Sequence, residues 1–213
     1  MKDYLGEYSK PEKAFGEVFS STFTEFSVQS YSPAYPSTPE YGSLIAVNCE
    51  TLLIVGLVYS SEVVSATVVA SLPTPLRKTR REIQSMYPDL DSRLRDVYKA
   101  VSVGYYDGSR FWHDRPPRKP LVHDLAYLPD SQLIRDFHGT PPKLSYLPLI
   151  FASLPEREAL MATRGLARYL AANFRAEDER EQLLRSGVES MQAWGYDADL
   201  IVVVSGILES MLG

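Results

Sequence analysis

The chain has 213 residues, of which 45% are hydrophobic and 23% are charged, which suits one large globular domain or two small ones and excludes a wholly disordered protein. Its 22 Lys and Arg against 27 Asp and Glu give a formal charge of -5, so global electrostatics will not draw the molecule onto nucleic acid or an anionic membrane. The single cysteine, Cys49, excludes a disulfide framework and fits a reducing compartment.

The first ten residues lack the apolar stretch of a signal peptide, and the most apolar run, Leu52 to Tyr59, is far shorter than the roughly 20 residues that a membrane span needs. We therefore expect a soluble, cytoplasmic protein with no membrane partner. Charge is distributed unevenly, because residues 71–124 hold 11 basic and 7 acidic side chains while the segments on either side are acidic. Any contact with nucleic acid is therefore expected in this middle segment.

The N-terminal third contains four short segments rich in β-branched and aromatic residues, which predict strands. The segments are Ala14–Ser20, Thr22–Ser30, Tyr41–Cys49 and Thr51–Ser60. Alternation in the second segment places Phe26 and Val28 toward a core. Gly16, Gly42 and Gly56 allow the sharp bends of a small closed barrel, which we therefore favour over an open sheet.

The stretch from Tyr31 to Pro39 holds three prolines, which cannot donate to a sheet ladder, so it is predicted to be a connecting loop. Its aromatic side chains leave two interpretations open. Tyr31 and Tyr35 either form a binding loop or cover one end of the barrel, and the second is favoured.

Helical spacing begins after Pro75, at Leu76, Arg80, Ile83 and Tyr87. This spacing predicts a helix that ends at Pro88, and a short second helix is predicted over Asp91–Val97 with Asp91 as its N-cap. Together they form a helical insertion at about residues 76–97.

Strand character returns in Ala100–Tyr106, and the following Asp107-Gly108 dipeptide predicts a tight hairpin turn. The proline-rich segment 115–120 is predicted to be extended. Residues 121–128 are predicted to form the strand that closes the barrel.

From Asp130 onward the apolar period is helical. We predict one helix from an Asp130 cap to about His138, a second over 143–152 despite Pro148, and a third with an apolar stripe at Leu160, Thr163, Ala167, Leu170 and Phe174. A fourth, opened by acidic residues at 177–181, is predicted to bury Leu184, Val188 and Met191. The last, behind an Asp197 cap, has an apolar face that consists of Leu200, Val203, Val204, Ile207, Leu208 and Met211.

The expected fold class is therefore α+β. Residues 1–128 are predicted to form a small closed antiparallel-type β-barrel of about six strands with a helical insertion. Residues 129–213 are predicted to form an all-α domain, whose last helix is covered by the helices before it.

Four segments with this spacing resemble the HAS-barrel, a small β-barrel at the N-terminus of HerA-type DNA-translocating ATPases and of ATP synthase catalytic subunits. The segments are Phe15–Val18, Glu25–Val28, Tyr41–Val47 and Ile54–Val58, and the resemblance covers about residues 14–128. It implies a barrel of the kind that mediates ring assembly and partner docking. Members that hydrolyse ATP continue into a domain with a phosphate-binding loop, whereas this sequence has no G-x-x-x-x-G-K-[ST] motif.

Two of the three histidines precede an aspartate, in the pairs His113-Asp114 and His123-Asp124. Such pairs occur in metal-dependent phosphohydrolases, but there the ligands converge from helices, whereas these lie in a predicted loop and a predicted strand. A structural role is therefore favoured for both. His138 is expected to interact with a helix C-terminus.

No G-x-S-x-G, H-E-x-x-H or C-x-x-C motif is present, and Cys49 is interpreted as an inert buried thiol. We therefore expect no catalytic, cofactor-binding or metal-binding residues.

The basic insertion has two interpretations. In the first, it binds nucleic acid by contacting phosphates through Arg77, Lys78, Arg80 and Arg81, joined in space by Arg110, Arg118 and Lys119. Possible stacking platforms for bases are Tyr105, Tyr106, Phe111 and Trp112. In the second, which is favoured, these residues are a solvated helix face and ordinary barrel aromatics.

Three hypotheses for function follow. The first is a non-catalytic interaction protein that acts as an accessory subunit to a separately encoded HerA-type ring ATPase or nuclease in DNA processing, or that self-associates. The second is direct binding of nucleic acid through the basic insertion. The third is a metal-dependent hydrolase that uses His123 and Asp124.

Overall fold

The structure, a computed structural model, describes residues 2–31, 38–65, 77–88 and 94–212. The strands in these ranges are β1 (Gly16–Ser21), β2 (Glu25–Ser30), β3 (Leu44–Asn48), β4 (Leu53–Ser65), β5 (Leu94–Tyr106), β6 (Phe111–Trp112) and β7 (Leu125–Tyr127). The helices are α1 (Tyr4–Glu7), α2 (Arg80–Met86), α3 (Ser131–His138), α4 (Leu147–Phe151), α5 (Glu156–Asn173), α6 (Glu177–Ala193) and α7 (Ala198–Leu212), and Pro11–Lys13 form a 3₁₀ turn.

Six strands close into an antiparallel barrel in the order β1, β2, β5, β4, β3, β7 and back to β1. The seventh strand, β6, pairs with β5 after the predicted Asp107-Gly108 turn. The α+β class, the closed barrel of about six strands and the helical C-terminal region are therefore confirmed.

Two glycines meet close neighbours where the barrel bends. The register of β4 shifts at Gly56, and a Cβ there would lie 2.4 Å from Cζ of Phe26 inside the barrel. Gly42 has a φ of +81°, and its Cβ would lie 2.2 Å from the backbone of Gly165 on α5. Both positions therefore need glycine, one for the barrel core and one for the contact with the helices.

The barrel interior is a closed apolar core. It is formed by Phe15, Val18, Phe26, Val28, Ile45, Val47, Leu52, Ile54, Val58, Tyr98, Ala100 and Ala126. The inward positions predicted for Phe26 and Val28 are confirmed.

The outside of the barrel is covered on two sides. Leu44 and Leu57 belong to a second core, which they share with α3 to α7. Ala46 and Leu53 lie instead under the N-terminal segment, where Tyr4 and Tyr8 are buried. This double cover explains why four of the five residues of β3 are buried, whereas a strand with one solvated face alternates.

The helix caps agree with the sequence. Asp130 accepts a hydrogen bond from the Leu133 amide, and Asp197 accepts one from the Leu200 amide. Pro148 lies in the first turn of α4, where its missing N–H has no intrahelical partner to lose. No helix in the described ranges combines the length and apolar character that a membrane crossing requires.

The predicted helical insertion is shorter than expected. α2 is present, with a capping box between Thr79 and Glu82, but residues 94–97 belong to β5 rather than to a helix. These residues pair with β4, and Val97 also pairs with β2, so tertiary pairing overrides local helix propensity. The predicted positions Leu76, Asp91 and Tyr35 lie outside the described residues.

The predicted closing strand is also shorter, because β7 covers only Leu125–Tyr127. Residues 121–124 form a turn in which the Asp124 carboxylate accepts a hydrogen bond from the Leu121 amide at 2.7 Å. His123 in this turn has a φ of 76°.

The buried stripes of the last two helices differ from those predicted. In α6 the buried residues are Leu183, Gly187 and Met191, so the predicted Leu184 and Val188 are only half-buried. Gly187 is the point of contact, since a Cβ there would lie 3.2 to 3.4 Å from three leucine side chains of the neighbouring segments.

In α7 the buried residues are Val204, Leu208 and Leu212, whereas the predicted Val203 is exposed. Neighbouring residues on a helix point about 100° apart, so the packing angle decides which of two apolar neighbours is buried. The prediction that preceding helices cover α7 is confirmed by its contacts with α5 and α6.

Candidate interaction surface on the barrel

The tip of the β1–β2 hairpin is fixed by local hydrogen bonds that leave Phe23 outside. The Thr22 hydroxyl accepts from the amides of Thr24 and Glu25, and the Thr22 amide donates to the Glu25 carbonyl at 2.7 Å. These bonds satisfy the turn backbone without using Phe23, whose side chain is 56% exposed. The hairpin therefore presents an aromatic ring to solvent.

The 121–124 turn lies beside this hairpin. The Val18 amide donates to the Asp124 carbonyl at 2.9 Å, and the His123 amide donates to the Val18 carbonyl at 2.8 Å. A bond from the Ser21 hydroxyl to the Pro120 carbonyl adds a third attachment. The turn is therefore held by these contacts, while the side chains of Leu121, Val122 and His123 remain exposed.

Five exposed aromatic and aliphatic side chains lie on the 121–124 turn and along the β1–β2 hairpin, from Tyr31 at its open end to Phe23 at its tip. We call this the hairpin surface, and it consists of Phe19, Phe23, Tyr31, Leu121 and Val122. Single exposed apolar residues are ordinary, but a concentration of them is typical of an interaction site.

A cavity of about 390 Å³ lies between the two elements and has both apolar and charged lining residues. It is lined by Phe23, Cys49, Glu50, Thr51, Pro117, Arg118, Lys119, Leu121 and Asp124. Its volume is within the range of pockets that accept a small ligand or a large side chain.

Cys49 lines this cavity but is not arranged as a nucleophile. Burial, and then the nearby Asp124 carboxylate, raise the pKa of its thiol well above the ordinary value. Nucleophilic attack needs the thiolate, so the prediction of an inert thiol agrees with its surroundings, although the residue is half-buried rather than buried.

A second cavity, of about 250 Å³, is next to a hydrogen-bonded group of three side chains. The Tyr31 hydroxyl donates to Oε1 of Glu17 at 2.6 Å, and Nδ1 of His123 lies 2.8 Å from Oε2. These bonds, first that from Tyr31, lower the pKa of Glu17. The imidazole of His123 is otherwise exposed, so its Nε2 atom faces solvent.

A third cavity, of about 440 Å³, separates the N-terminal segment from the ends of β3 and β7. His123 lines the second and third cavities, and Glu50 and Asp124 line the first and third. The third cavity therefore adjoins each of the other two beside the 121–124 turn.

The two His-Asp pairs do not act as pairs. His123 contacts Glu17, while the Asp124 carboxylate holds the Leu121 amide. His113 donates to the Phe137 carbonyl, and Asp114 accepts from the Arg115 amide. Among the described residues, no group of three or more His, Cys, Asp or Glu side chains is arranged to hold a metal ion.

His138 is buried near the end of α3, as its expected interaction with a helix terminus requires. Nδ1 donates to the Ile134 carbonyl at 2.7 Å, and Nε2 accepts from the Tyr146 hydroxyl at 2.9 Å. Both ring nitrogens therefore form hydrogen bonds within the core between α3 and α4.

The seven basic residues of the phosphate-binding hypothesis belong to two segments that are attached to opposite ends of the β4–β5 ladder. Arg77, Lys78 and Arg81 are exposed around α2, in the insertion that joins Ser65 to Leu94. The backbone of Arg80 is in α2, and its side chain lies outside the described set.

Arg110 follows the other end of β5, and Arg118 and Lys119 line the cavity beside the β3–β4 turn. That turn also lies at the end of the β4–β5 ladder where Leu53 pairs with Tyr106. A ladder of 13-residue strands spans up to roughly 40 Å, and the insertion leaves and rejoins it at the other end, where Ser65 pairs with Leu94.

The predicted stacking platforms are already engaged. Tyr106 is buried and Phe111 packs between Tyr106 and Phe137. Trp112 has the Arg110 guanidinium 3.4 Å above its ring and is stacked on Tyr105 with a centroid separation of 6.3 Å. Its indole N–H donates to Asp107, so its ring and its N–H are both engaged inside the molecule.

Comparison with known proteins adds no relative, because no protein-family model and no curated protein matches the chain.

Reading the sequence alone missed the hairpin surface and the contact between Glu17 and His123. The available signal was the presence of Phe23 and Leu121 within turn segments, flanked by Thr22 and Pro120, where an apolar side chain has no strand face to occupy. No sequence pattern indicated that Glu17, on β1, would meet a histidine more than 100 residues away.

Proposed function

We propose that this protein is a non-catalytic interaction protein that docks a partner through the hairpin surface. The observation that carries the proposal is the set of exposed aromatic and aliphatic side chains along the β1–β2 hairpin and the 121–124 turn, where Phe23 and Leu121 line one cavity and Phe19 and Tyr31 line another. Removing such side chains from water is the main driving force of protein association, and aromatic residues are favoured at the centres of interfaces.

The partner class follows from the resemblance of residues 14–128 to the HAS-barrel. The proposed partner is a separately encoded HerA-type ring ATPase or nuclease in DNA processing, which this protein would serve as an accessory subunit. The rigid attachment of the 121–124 turn to β1 supports this role, because a preformed surface loses little conformational entropy on binding.

Co-purification with a tagged full-length chain tests the proposal. The test variant is Phe23→Ser with Leu121→Ser, and the matched control is Val202→Ser, which changes an exposed apolar residue on α7. We expect the wild type and the control to recover a ring ATPase or nuclease, and the double variant to recover at least tenfold less. Recovery of neither enzyme class by the wild type, or equal recovery by the double variant, would contradict the proposal.

A second candidate function is binding of nucleic acid, and the exposed basic side chains of the insertion favour it. Arg77, Lys78 and Arg81 are exposed and form no hydrogen bond or ion pair through their side chains with any described residue. Uncompensated cations of this kind can contact phosphates, and their affinity then falls with salt.

Replacing these three residues by Glu should abolish binding to a single-stranded or double-stranded DNA oligonucleotide at low salt. The matched control is Arg118→Glu with Lys119→Glu, at the other end of the ladder, and it should leave binding unchanged. Absence of wild-type binding at low salt, or equal loss in the control, would exclude this role for the insertion.

A further inference from the structure

The outer side of α5, opposite the buried Leu166, carries arginines that have no partner within the described chain. We call this the arginine face, and it consists of Arg157, Met161, Arg164 and Arg168. At 3.6 residues per turn these positions fall within an arc of about 60°, and all four side chains are exposed. No described residue forms a hydrogen bond or ion pair with the three guanidinium groups.

The stability of α5 itself does not explain the arginine face. Arg157 lies in the first turn, where the positive end of the helix dipole disfavours a cation. Beyond Glu158 the helix contains no acidic residue, so Arg164 and Arg168 have no carboxylate at a spacing of three or four. Met161 lies between the arginines and is 54% exposed. The face therefore presents uncompensated positive charge around an apolar side chain.

The outer side of α7 has the opposite charge. We call this the acidic face, and it consists of Asp199, Val202, Gly206 and Glu209, which fall within an arc of about 80°. All four residues are exposed, and α7 contains no Lys or Arg. Among the described residues, Asp199 has no partner for its side chain, and the Glu209 carboxylate accepts a hydrogen bond only from Ser205 of the same helix.

The two faces match in spacing as well as in charge. At 1.5 Å per residue, Arg157 and Arg168 are about 17 Å apart along α5, and the two carboxylates of the acidic face are about 15 Å apart along α7. Between each pair of charges lies an exposed apolar side chain, Met161 on α5 and Val202 on α7. Each face has like charges at both ends, so the match holds whether the helices run parallel or antiparallel.

We propose that the arginine face of α5 packs on the acidic face of α7 in a second copy of this chain. Within one copy α5 and α7 pack against each other through their buried residues, so the two faces belong to neighbouring helices. One two-fold rotation can therefore place α5 of each copy over α7 of the other, and this arrangement closes as a dimer. The inference does not rest on the docking of a partner through the hairpin surface.

Charge favours this arrangement over contact of either face with itself. Pairing α5 with α5 would bring arginines together, pairing α7 with α7 would bring carboxylates together, and like charges across an interface repel. The proposed contact instead removes Met161 and Val202 of both copies from water beside opposite charges. Exposed ion pairs contribute only about 0.2–1 kcal/mol each, so the dimer should be weak and sensitive to salt.

Sedimentation of the full-length chain tests for this dimer. At roughly 10 to 500 µM protein and about 50 mM salt, the wild type should show a reversible monomer–dimer equilibrium. Raising the salt to about 500 mM should weaken dimerisation at least tenfold, because the screening length then falls below the separation of exposed charges.

Charge reversal tests which faces meet. The arginine-reversed variant combines Arg157→Glu with Arg168→Glu and places carboxylates on both faces. The acid-reversed variant combines Asp199→Arg with Glu209→Arg and places guanidinium groups on both faces. Each variant alone should dimerise at least tenfold more weakly than the wild type. Their equimolar mixture should dimerise like the wild type, because each face then meets opposite charge on the other variant.

The matched control is Arg118→Glu with Lys119→Glu, which changes the net charge as much as the arginine-reversed variant does, and it should dimerise like the wild type. All exchanged side chains are exposed, so the variants should fold, and melting followed by circular dichroism checks this. A wild type that remains monomeric at low salt would overturn the proposal. So would a reversed variant that dimerises like the wild type, a mixture that does not recover, or assemblies larger than a dimer.

Discussion

Arg115 joins the barrel to the helical region through one side chain. Its guanidinium lies within hydrogen-bonding distance of the carbonyls of Thr24 and Ser102 on the barrel side, and of the Leu149 carbonyl and Ser153 hydroxyl on the α4 side. The planar guanidinium has several N–H donors in a fixed arrangement, so it can reach four acceptors on two structural units. A lysine ammonium cannot reproduce this arrangement.

Replacing Arg115 by Met should destabilise the protein by about 2–4 kcal/mol, because several partly buried acceptors lose a charged donor. Urea denaturation measures the change. Arg118→Met is the control, since that side chain is exposed and forms no hydrogen bond or ion pair with a described residue, and it should change stability by less than about 0.5 kcal/mol. Equal stability of the two variants would contradict the role assigned to Arg115.

Two histidines occupy the aromatic cluster between the barrel and the helices. Desolvation lowers the pKa of His113 to about 4 and that of His138 to about 3. Both rings are therefore neutral in the folded protein near neutral pH. Phe137 and Tyr146 pack against both rings and contribute to this desolvation.

The lowered pKa values of His113 and His138 predict that the protein loses stability in acid. Between pH 6.5 and about 4.5 the unfolded chain binds protons at these histidines and the folded chain does not, so stability falls as the pH falls, by up to about 1.4 kcal/mol per pH unit for each histidine. Carboxylates with lowered pKa, such as Glu17, contribute mainly near and below the ordinary carboxyl pKa of 4.5, at the lower end of this range.

Urea denaturation at pH 5, 6 and 7 measures this slope. The double variant His113→Gln with His138→Gln should show a much flatter profile, although its stability at pH 7 will also be lower. His123→Gln is the control, because that ring is exposed. An unchanged slope in the double variant would contradict neutral, desolvated rings in the folded state.

In helix α7, the apolar face expected from the sequence differs from the face that is buried. Val203 and Val204 are adjacent and chemically identical, but Val203 is 49% exposed while Val204 is fully buried. The sequence placed both on one apolar face, which is correct for Val204 and wrong for Val203. The helix contacts α5 and α6 along a line through Val204, Leu208 and Leu212.

Truncating each valine to alanine tests this assignment. Val204→Ala should cost about 1.5–3 kcal/mol, since it removes buried methyl groups and leaves a cavity, whereas Val203→Ala should cost less than about 0.5 kcal/mol. Thermal or urea denaturation compares the two. Similar losses in both variants would show that α7 is rotated relative to the packing described.

At the end of the insertion, the local sequence pattern predicted the wrong type of secondary structure. Residues 94–97 have a helical pattern behind an aspartate, but they form a strand. Strand pairing with β4, and of Val97 with β2, satisfies their backbone over a longer ladder than a one-turn helix would provide. Pairing partners far away in sequence cannot be read from a short window.

At the scale of the whole molecule, the barrel and the helices share one core. Leu44, Leu57 and Val101 on the outside of the barrel are buried against residues from α3 to α7. The helical region is therefore covered on one side by the barrel, because the helices pack on it.

A shared core predicts one cooperative unfolding transition. The chain has two tryptophans, Trp112 on β6 and Trp194 at the end of α6, so each region carries its own fluorescent reporter. The single-tryptophan variants Trp112→Phe and Trp194→Phe should each show urea transitions that coincide with their own circular dichroism transition. Separate fluorescence and circular dichroism midpoints within one variant would instead indicate that residues 1–128 and 129–213 unfold independently.

The sequence by itself determined the parts of this fold that depend on nearby residues. Strand segments, the Asp107-Gly108 turn, the Asp130 and Asp197 caps and the helical C-terminal region follow from periodicity, turn chemistry and capping, which act over a few residues. The number of strands and their bends also sufficed to favour a closed barrel.

Only the tertiary structure decided which surfaces face each other. It placed His123 against Glu17 rather than against Asp124, and it buried Val204 but not the neighbouring Val203. These features depend on contacts between segments far apart in the chain. Such contacts are set by strand register and helix packing angles, and a shift of one residue reverses which side chain is buried.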